Sequence, residues 1–321
     1  MSKQSARMSN EAAEERLLAA RAARRYYLED ASKVQIADEL SLSRFKVARL
    51  LDLAREEGIV TITVNDGGMV DAARSQALRD ALGLQEAIVV ASHGTEGERR
   101  RQVGAAAAAL LRDTLTTGDV LGLAWGRTLT AMTEELTDLP RVSVVQLTGA
   151  VGSNLNESPV EVVRRVALSA GADARAIFAP LLVEDAATAT ALRRQADVAS
   201  AIALFKKATV AVLAVGSWDP PISQLRAVMS EADRATLAER GVIAEVAGIL
   251  IDEEGRHVGG EFVDRCISIS PIELAQVPRV IAVAAGREKA RAVDAVAASQ
   301  LISCVVVDQD LADAILEARH G

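Results

Sequence analysis

The stretch Lys33–Leu51, KVQIADELSLSRFKVARLL, decides how the beginning of the chain folds. Ile36, Ala37 and Leu40 recur at helical spacing, and so do Leu42, Val47, Leu50 and Leu51, so two short apolar-faced helices are expected. Ser41-Leu42-Ser43 separates them, and Ser43 is a natural N-cap for the second helix. Ala37 is small enough for two helices to cross steeply at close range. The second helix carries Arg44, Lys46 and Arg49, with no acid until Asp52. That is the pattern of a helix-turn-helix whose second helix enters the major groove of DNA. The plain alternative is a helical hairpin with a solvated basic face. Ser43, Arg44, Phe45, Lys46 and Arg49 are the expected DNA-facing residues. The three cations would take base and phosphate contacts, and Phe45 an apolar contact in the groove.

Upstream, Glu14–Leu28 reads as a helix with Leu17, Ala20, Ala23 and Tyr27 on one face, and residues 1–12 read as disordered. Arg21, Arg24 and Arg25 fall off that stripe, free for phosphates or for water. Downstream, the second helix of the pair runs on to Glu57 and stops at Gly58. Ile59–Val64 alternates as a short strand does, and Asn65-Asp66-Gly67-Gly68 is the clearest linker in the chain. The domain boundary is therefore placed there, with an all-α domain over 1–64 and a larger domain over 65–321.

The net charge of −8 over 321 residues seems wrong for a nucleic-acid partner until it is divided. Residues 1–60 balance at +1, with 11 basic and 10 acidic side chains, and the remainder carries −9. DNA binding would then come from charge arranged on one face, doubled by dimerisation and sensitive to salt. Aromatic residues make up only 2% of the chain, so Ala, Val, Leu and Ile must fill the core. No apolar run is long enough to span a bilayer, and the N-terminus has no signal-peptide core. Cys266 and Cys304 stand apart from one another and from any histidine cluster. A reduced, cytoplasmic protein with no metal, no cofactor and no membrane partner is expected.

Beyond Asp71, near-continuous Val/Ile/Ala/Leu strands alternate with helices, which predicts a Rossmann-like, mostly parallel α/β domain. Strands are expected at 87–91, 120–124, 142–147, 210–215, 243–251, 280–285 and 304–307. Helices are expected at 71–82, 99–114, 129–136, 160–169, 186–204, 223–239 and 288–300. In such sheets ligands lie beyond the carboxyl ends of the strands, and four of these ends lead into small-residue corners: Trp125-Gly126-Arg127-Thr128, Thr148-Gly149-Ala150, Gly216-Ser217-Trp218 and Gly286-Arg287-Glu288-Lys289. Gly126 lets backbone approach an anion, Thr128 is placed to cap the next helix, and Arg127 adds a charge-assisted contact. Lys289 sits in the first turn of its helix, where a cation is unfavourable unless an anion is near. Four such corners at one sheet edge favour a polar ligand pocket, although a tight strand-to-helix turn explains any one glycine. Glu245 and Asp252 are candidates for sugar hydroxyls, with a solvated hairpin turn the simpler account of Asp252. Trp125 and Trp218 suit a pocket wall or plain core equally. His93, His257 and His320 are scattered, and no catalytic motif is present, so no catalytic residue is assigned.

Taken in order, the helix-turn-helix, LAREEGIV (53–60), GLAWGRTL (122–129), VVQLTG (144–149), Ala179-Pro180, VGSWD (215–219) and AVAAGREKARAV (282–293) resemble the SorC family of sugar-responsive transcriptional regulators, over nearly the whole chain from about Glu14. The resemblance implies an effector domain with the fold of ribose-5-phosphate and glucosamine-6-phosphate isomerases, used to sense a sugar phosphate. It implies a phosphate held at Gly126-Arg127-Thr128, Gly286 and Lys289, and a homo-oligomer, dimer or tetramer, acting on operator DNA. Gly149, Gly216 and Glu245 complete the expected effector set. Three positions depart from the family pattern: Ser41 where glycine is frequent, Ala244-Glu245 where Gly-Asp is usual, and Ala284-Ala285-Gly286 where Ala-Gly-Gly is usual. A sugar-phosphate isomerase or deaminase with an appended helical segment is the enzymatic alternative, and an adaptor whose helical hairpin binds a protein is a weaker one.

Overall fold

The computed structural model describes residues 3–60, 69–151 and 157–320, with side chains from Glu14 to Arg319. The chain divides into two compact units, Met1–Asn65 and Asp66–Gly321.

The first unit is built from α1 (Lys3–Tyr27), α2 (Lys33–Leu40) and α3 (Arg44–Glu56). Ser32 caps α2 in a reciprocal box with Gln35, and the Ser43 hydroxyl accepts from Lys46 N at 3.1 Å to cap α3. Ser41, between them, is left-handed at φ 54°. Its core is mostly small: Ala19, Ala22 and Ala23 of α1 meet Ile36, Ala37, Val47, Leu50, Leu51 and Ala54. Of the stripe expected on α1, Ala23 is in the core and Tyr27 packs against it, whereas Leu17 is 67% exposed. Three helices crossing at close range take alanine at the contact and turn the leucine out. The helix also begins at Lys3 instead of Glu14; residues 3–13 hold no glycine or proline that would stop it. Of the strand expected over 59–64, Ile59 and Val60 form a bend against the core. Residues 61–64 of that strand and the linker at 65–68 lie outside the described residues.

The second unit holds β1 (Met69–Val70), β2 (Glu86–Ala91), β3 (Val120–Leu123), β4 (Ser143–Gln146), β5 (Ala174–Arg175), β6 (Val210–Ser217), β7 (Val242–Val246), β8 (Ile249–Asp252), β9 (Arg279–Ala284) and β10 (Cys304–Asp308). They form one sheet in the order β1-β2-β10-β9-β6-β3-β4-β5, with β7 and β8 continuing from the end of β6. From β2 to β5 every pairing is parallel, and β1 is an antiparallel edge. Both faces are covered, as a parallel sheet requires. Along β10, Val305 and Val307 enter one apolar layer while Cys304 and Val306 enter the other.

Three expected elements are divided. Ile243–Ile251 is the hairpin β7–β8, turned by Ala247 and Gly248 at φ 51° and 81°. Residues 186–204 form two helices, Ala186–Arg193 and Ala196–Ile202. Residues 223–239 break into Gln224–Val228 and Glu231–Glu239, where the Ser230 hydroxyl caps the second piece. Uniform apolar periodicity hid all three breaks.

Candidate functional site

The adjacent ends of β9, β6 and β3 open onto one cleft of about 160 Å³. β3 runs through Trp125 to Gly126, which caps the helix Arg127–Glu134 at φ 142°. A Cβ on Gly126 would overlap the Cβ of Ala214 on β6, so no other residue fits. Because this cap has no side chain to accept from the first-turn amides, they remain available to an anion. Thr128 was expected to cap this helix. The helix starts earlier, at Arg127, so Thr128 lies inside its first turn and is buried while lining the cleft.

From β6 comes Gly216, in register with Glu245 on β7. A Cβ on Gly216 would occupy the space of the Glu245 carboxylate. That carboxylate is buried, accepting from Ser223 Oγ at 3.2 Å and from Gly248 N at 3.3 Å. Burial pushes it up to about 7, although the two hydrogen bonds and Lys289 pull the other way. From the end of β9 comes Lys289, the last residue of a short 3-10 turn and the N-cap of the helix Ala290–Ala298. Its Nζ donates to the Val215 carbonyl at 2.9 Å. Desolvation, then Arg127 and Arg100, lower Lys289 to about 8, while Glu288 and Glu245 oppose the shift.

Arg100 and Glu96 reach the cleft from the helix Glu96–Thr114, which follows β2. Positions 96, 100 and 104 are four apart and share a helix face. A Cβ on Gly104 would stand 2.7 Å from the backbone nitrogen of Met132, so the glycine lets this helix lie backbone to backbone against Arg127–Glu134. That contact carries Arg100 and Glu96 to the mouth of the Gly126 corner.

Of the expected effector residues, Gly126, Arg127, Thr128, Gly216, Glu245 and Lys289 all line the cleft, with Trp125 on its wall. Gly149 and Gly286 do not line it. Gly149 donates to the Ile267 carbonyl at 2.7 Å and packs against the Pro180 backbone. Gly286 N–H is taken by the buried Asp308 carboxylate at 3.0 Å. Ser223, Gln224, Glu96 and Arg100 were not foreseen. Asp252 ends β8 and holds the turn that follows: its carboxylate accepts from Glu254 N and Arg256 N. Trp218 is buried and outside the cleft lining.

On α3, Ser43, Arg44, Phe45 and Arg49 are exposed, Phe45 at 81%. Val47 and Leu50 are turned into the core on the other side. Lys46 is only half exposed and ion-pairs with Glu15 of α1. Arg25, considered for phosphate contact, instead clamps α1 to α2 through Glu39 and also pairs with Glu29. Both cysteines are buried free thiols that burial pushes up to about 12, poor nucleophiles at neutral pH. Among the described residues, no cluster of His, Cys, Asp and Glu is suited to a metal, and no helix is long and apolar enough to cross a membrane.

Residues 69–317 match the family model "Putative sugar-binding domain". The sorbitol operon regulator of Klebsiella pneumoniae is 28% identical over 306 residues, covering 91% of this chain and 95% of that protein. The transcriptional regulator LsrR of Klebsiella pneumoniae subsp. pneumoniae is 29% identical over 311 residues, covering 95% and 94%. The crystal structure of full-length SorC from Klebsiella pneumoniae superposes with a TM-score of 0.72 at 24% identity, covering 94% of this chain and 99% of that one.

Proposed function

The chain belongs to the SorC family of sugar-binding transcriptional regulators, a family of regulators and not of enzymes, and we propose that a small phosphorylated sugar or polyol in the cleft controls how residues 1–64 hold operator DNA. In this reading residues 65–321 are the effector and oligomerisation domain. Arg100, Arg127, Lys289 and the amides behind Gly126 take the phosphate. Glu245 and Ser223 accept and donate to hydroxyls at the other end.

One observation carries the proposal: Arg100, Arg127 and Lys289 line one cleft at a helix N-terminus, where desolvation first and then the two arginines depress Lys289. A phosphate dianion would turn that repulsion into attraction, whereas an uncharged polyol would leave it in place. On the DNA side, the exposed Arg44, Phe45 and Arg49 beside the capped Ser43 suit a recognition helix, with Lys46 released from Glu15 on contact with phosphate. A homo-oligomer, dimer or tetramer, would pair two such helices, and the effector would change their spacing. The names of the relatives, a sorbitol operon regulator among them, favour a carbohydrate or polyol catabolic operon and a cytoplasmic protein.

A thermal-shift panel of sugar phosphates and the matching free polyols tests this, because a ligand of the native state raises its melting temperature. Only phosphorylated compounds should stabilise the protein, and the same compounds should alter its mobility shift on its own promoter. Equal stabilisation by free polyols would remove the phosphate from the proposal.

A further inference from the structure

The cleft contains an anion of its own. Glu96 opens the helix Glu96–Thr114, and its Oε1 both ion-pairs with Arg100 one turn on and stands 3.8 Å from Nη1 of Arg127 on the next helix. We propose that Glu96 is a built-in competitor for the effector phosphate, occupying the two guanidiniums that the phosphate must reach and so raising the concentration at which the cleft fills. The inference rests on the reading of the cleft as a phosphate site.

A Glu–Arg pair at i,i+4 on an exposed helix is ordinarily a minor contact. Here the same oxygen also faces a guanidinium from a separate segment, and both guanidiniums line the cleft beside Lys289. Exposure separates the partners. The Glu96 side chain is 56% exposed, and Arg100 is only 20% exposed, so the acid can swing into water while the cation stays. The two other acids lining the cleft are differently held. Glu245 is buried and fixed by Ser223 and Gly248, and the Glu288 carboxylate lies over Gly286. Glu96 is thus the cleft acid that both engages the guanidiniums and has somewhere to go.

Titration calorimetry of the full-length protein with inorganic phosphate separates the possibilities. Glu96→Gln should bind phosphate about fivefold more tightly than wild type, the scale of one released surface ion pair. Glu288→Gln removes the same charge from the same cleft without freeing a guanidinium, and should gain less than about twofold. If Glu96→Gln gains no more than Glu288→Gln, the competitor is overturned and the phosphate site stands. If none of the three proteins binds phosphate, Glu96→Gln included, the phosphate reading falls and takes the competitor with it.

Discussion

On α3, Arg44 and Arg49 stand separately in water, whereas Arg100, Arg127 and Lys289 crowd together where three strands end. Both groups are cationic and both suit phosphate, yet their physics differs. Exposed cations act one at a time, weakened by salt and by local acids such as Glu15 beside Lys46. Enclosed cations lose water and act on one another: desolvation first, then Arg127 and Arg100, hold Lys289 below its ordinary value. The first arrangement suits a long polyanion gripped at many points, and the second a small anion that must satisfy several donors at once.

Lys289→Ala tests the enclosed group most severely. Affinity for a stabilising sugar phosphate should fall about a hundredfold, the scale of a buried charged hydrogen bond. A calorimetric loss below about threefold would mean that the two arginines suffice. Among the exposed group, Arg49→Ala should weaken operator binding about tenfold and flatten the dependence on salt by about one unit of slope. Mobility shifts at several salt concentrations read both, and an unaltered slope would move the phosphate contact elsewhere.

The enclosed group should also leave two opposite marks on stability against pH. Glu245 rises from 4.5 to about 7 on folding, so the native state holds a proton that the unfolded chain has released, and stability falls as pH climbs between those values. Lys289 drops from 10.5 to about 8, so the unfolded chain holds the extra proton, and stability recovers between pH 8 and 10.5. Urea melts of Glu245→Gln should lose the falling limb and keep the rising one. Persistence of the falling limb would assign it to another acid. The smallest effect belongs to the helical unit: Ser41→Gly should stabilise it by about 0.5–1 kcal/mol by relieving a left-handed serine. Chemical denaturation followed by helical signal would detect it, and a loss of stability would mean that chain entropy outweighs the strain.

Features set by local chemistry were legible in the sequence. Ser43 as a cap, the alternation of apolar strands with helices, and Gly126, Gly216 and Lys289 at strand ends all follow from neighbours a few residues away. Features set by tertiary crossing were not. Arg100 and Glu96 follow β2, which is not adjacent to β3, and the close packing of their helix at Gly104 brings them to the cleft. Their sequence signal was a Glu-Arg-Gly series at spacing four inside an alanine-rich helix. Leu17 misled because α1 meets the other two helices through Ala19, Ala22 and Ala23, which leaves the leucine outside. In the sequence Gly149 and Gly286 resemble ligand corners, but their amides serve Ile267 and Asp308. A glycine announces a close approach without saying what approaches.

The empty volume at Gly216 is filled by the carboxylate of Glu245. Two positions 29 residues apart in the chain therefore share a single allotment of space. A methyl group at 216 is compatible only with a shorter or displaced side chain at 245, so single substitutions at the pair should be non-additive. Any redesign of this end of the cleft has to alter both together, with the hairpin turn at Gly248 as the third member that holds the acid in place.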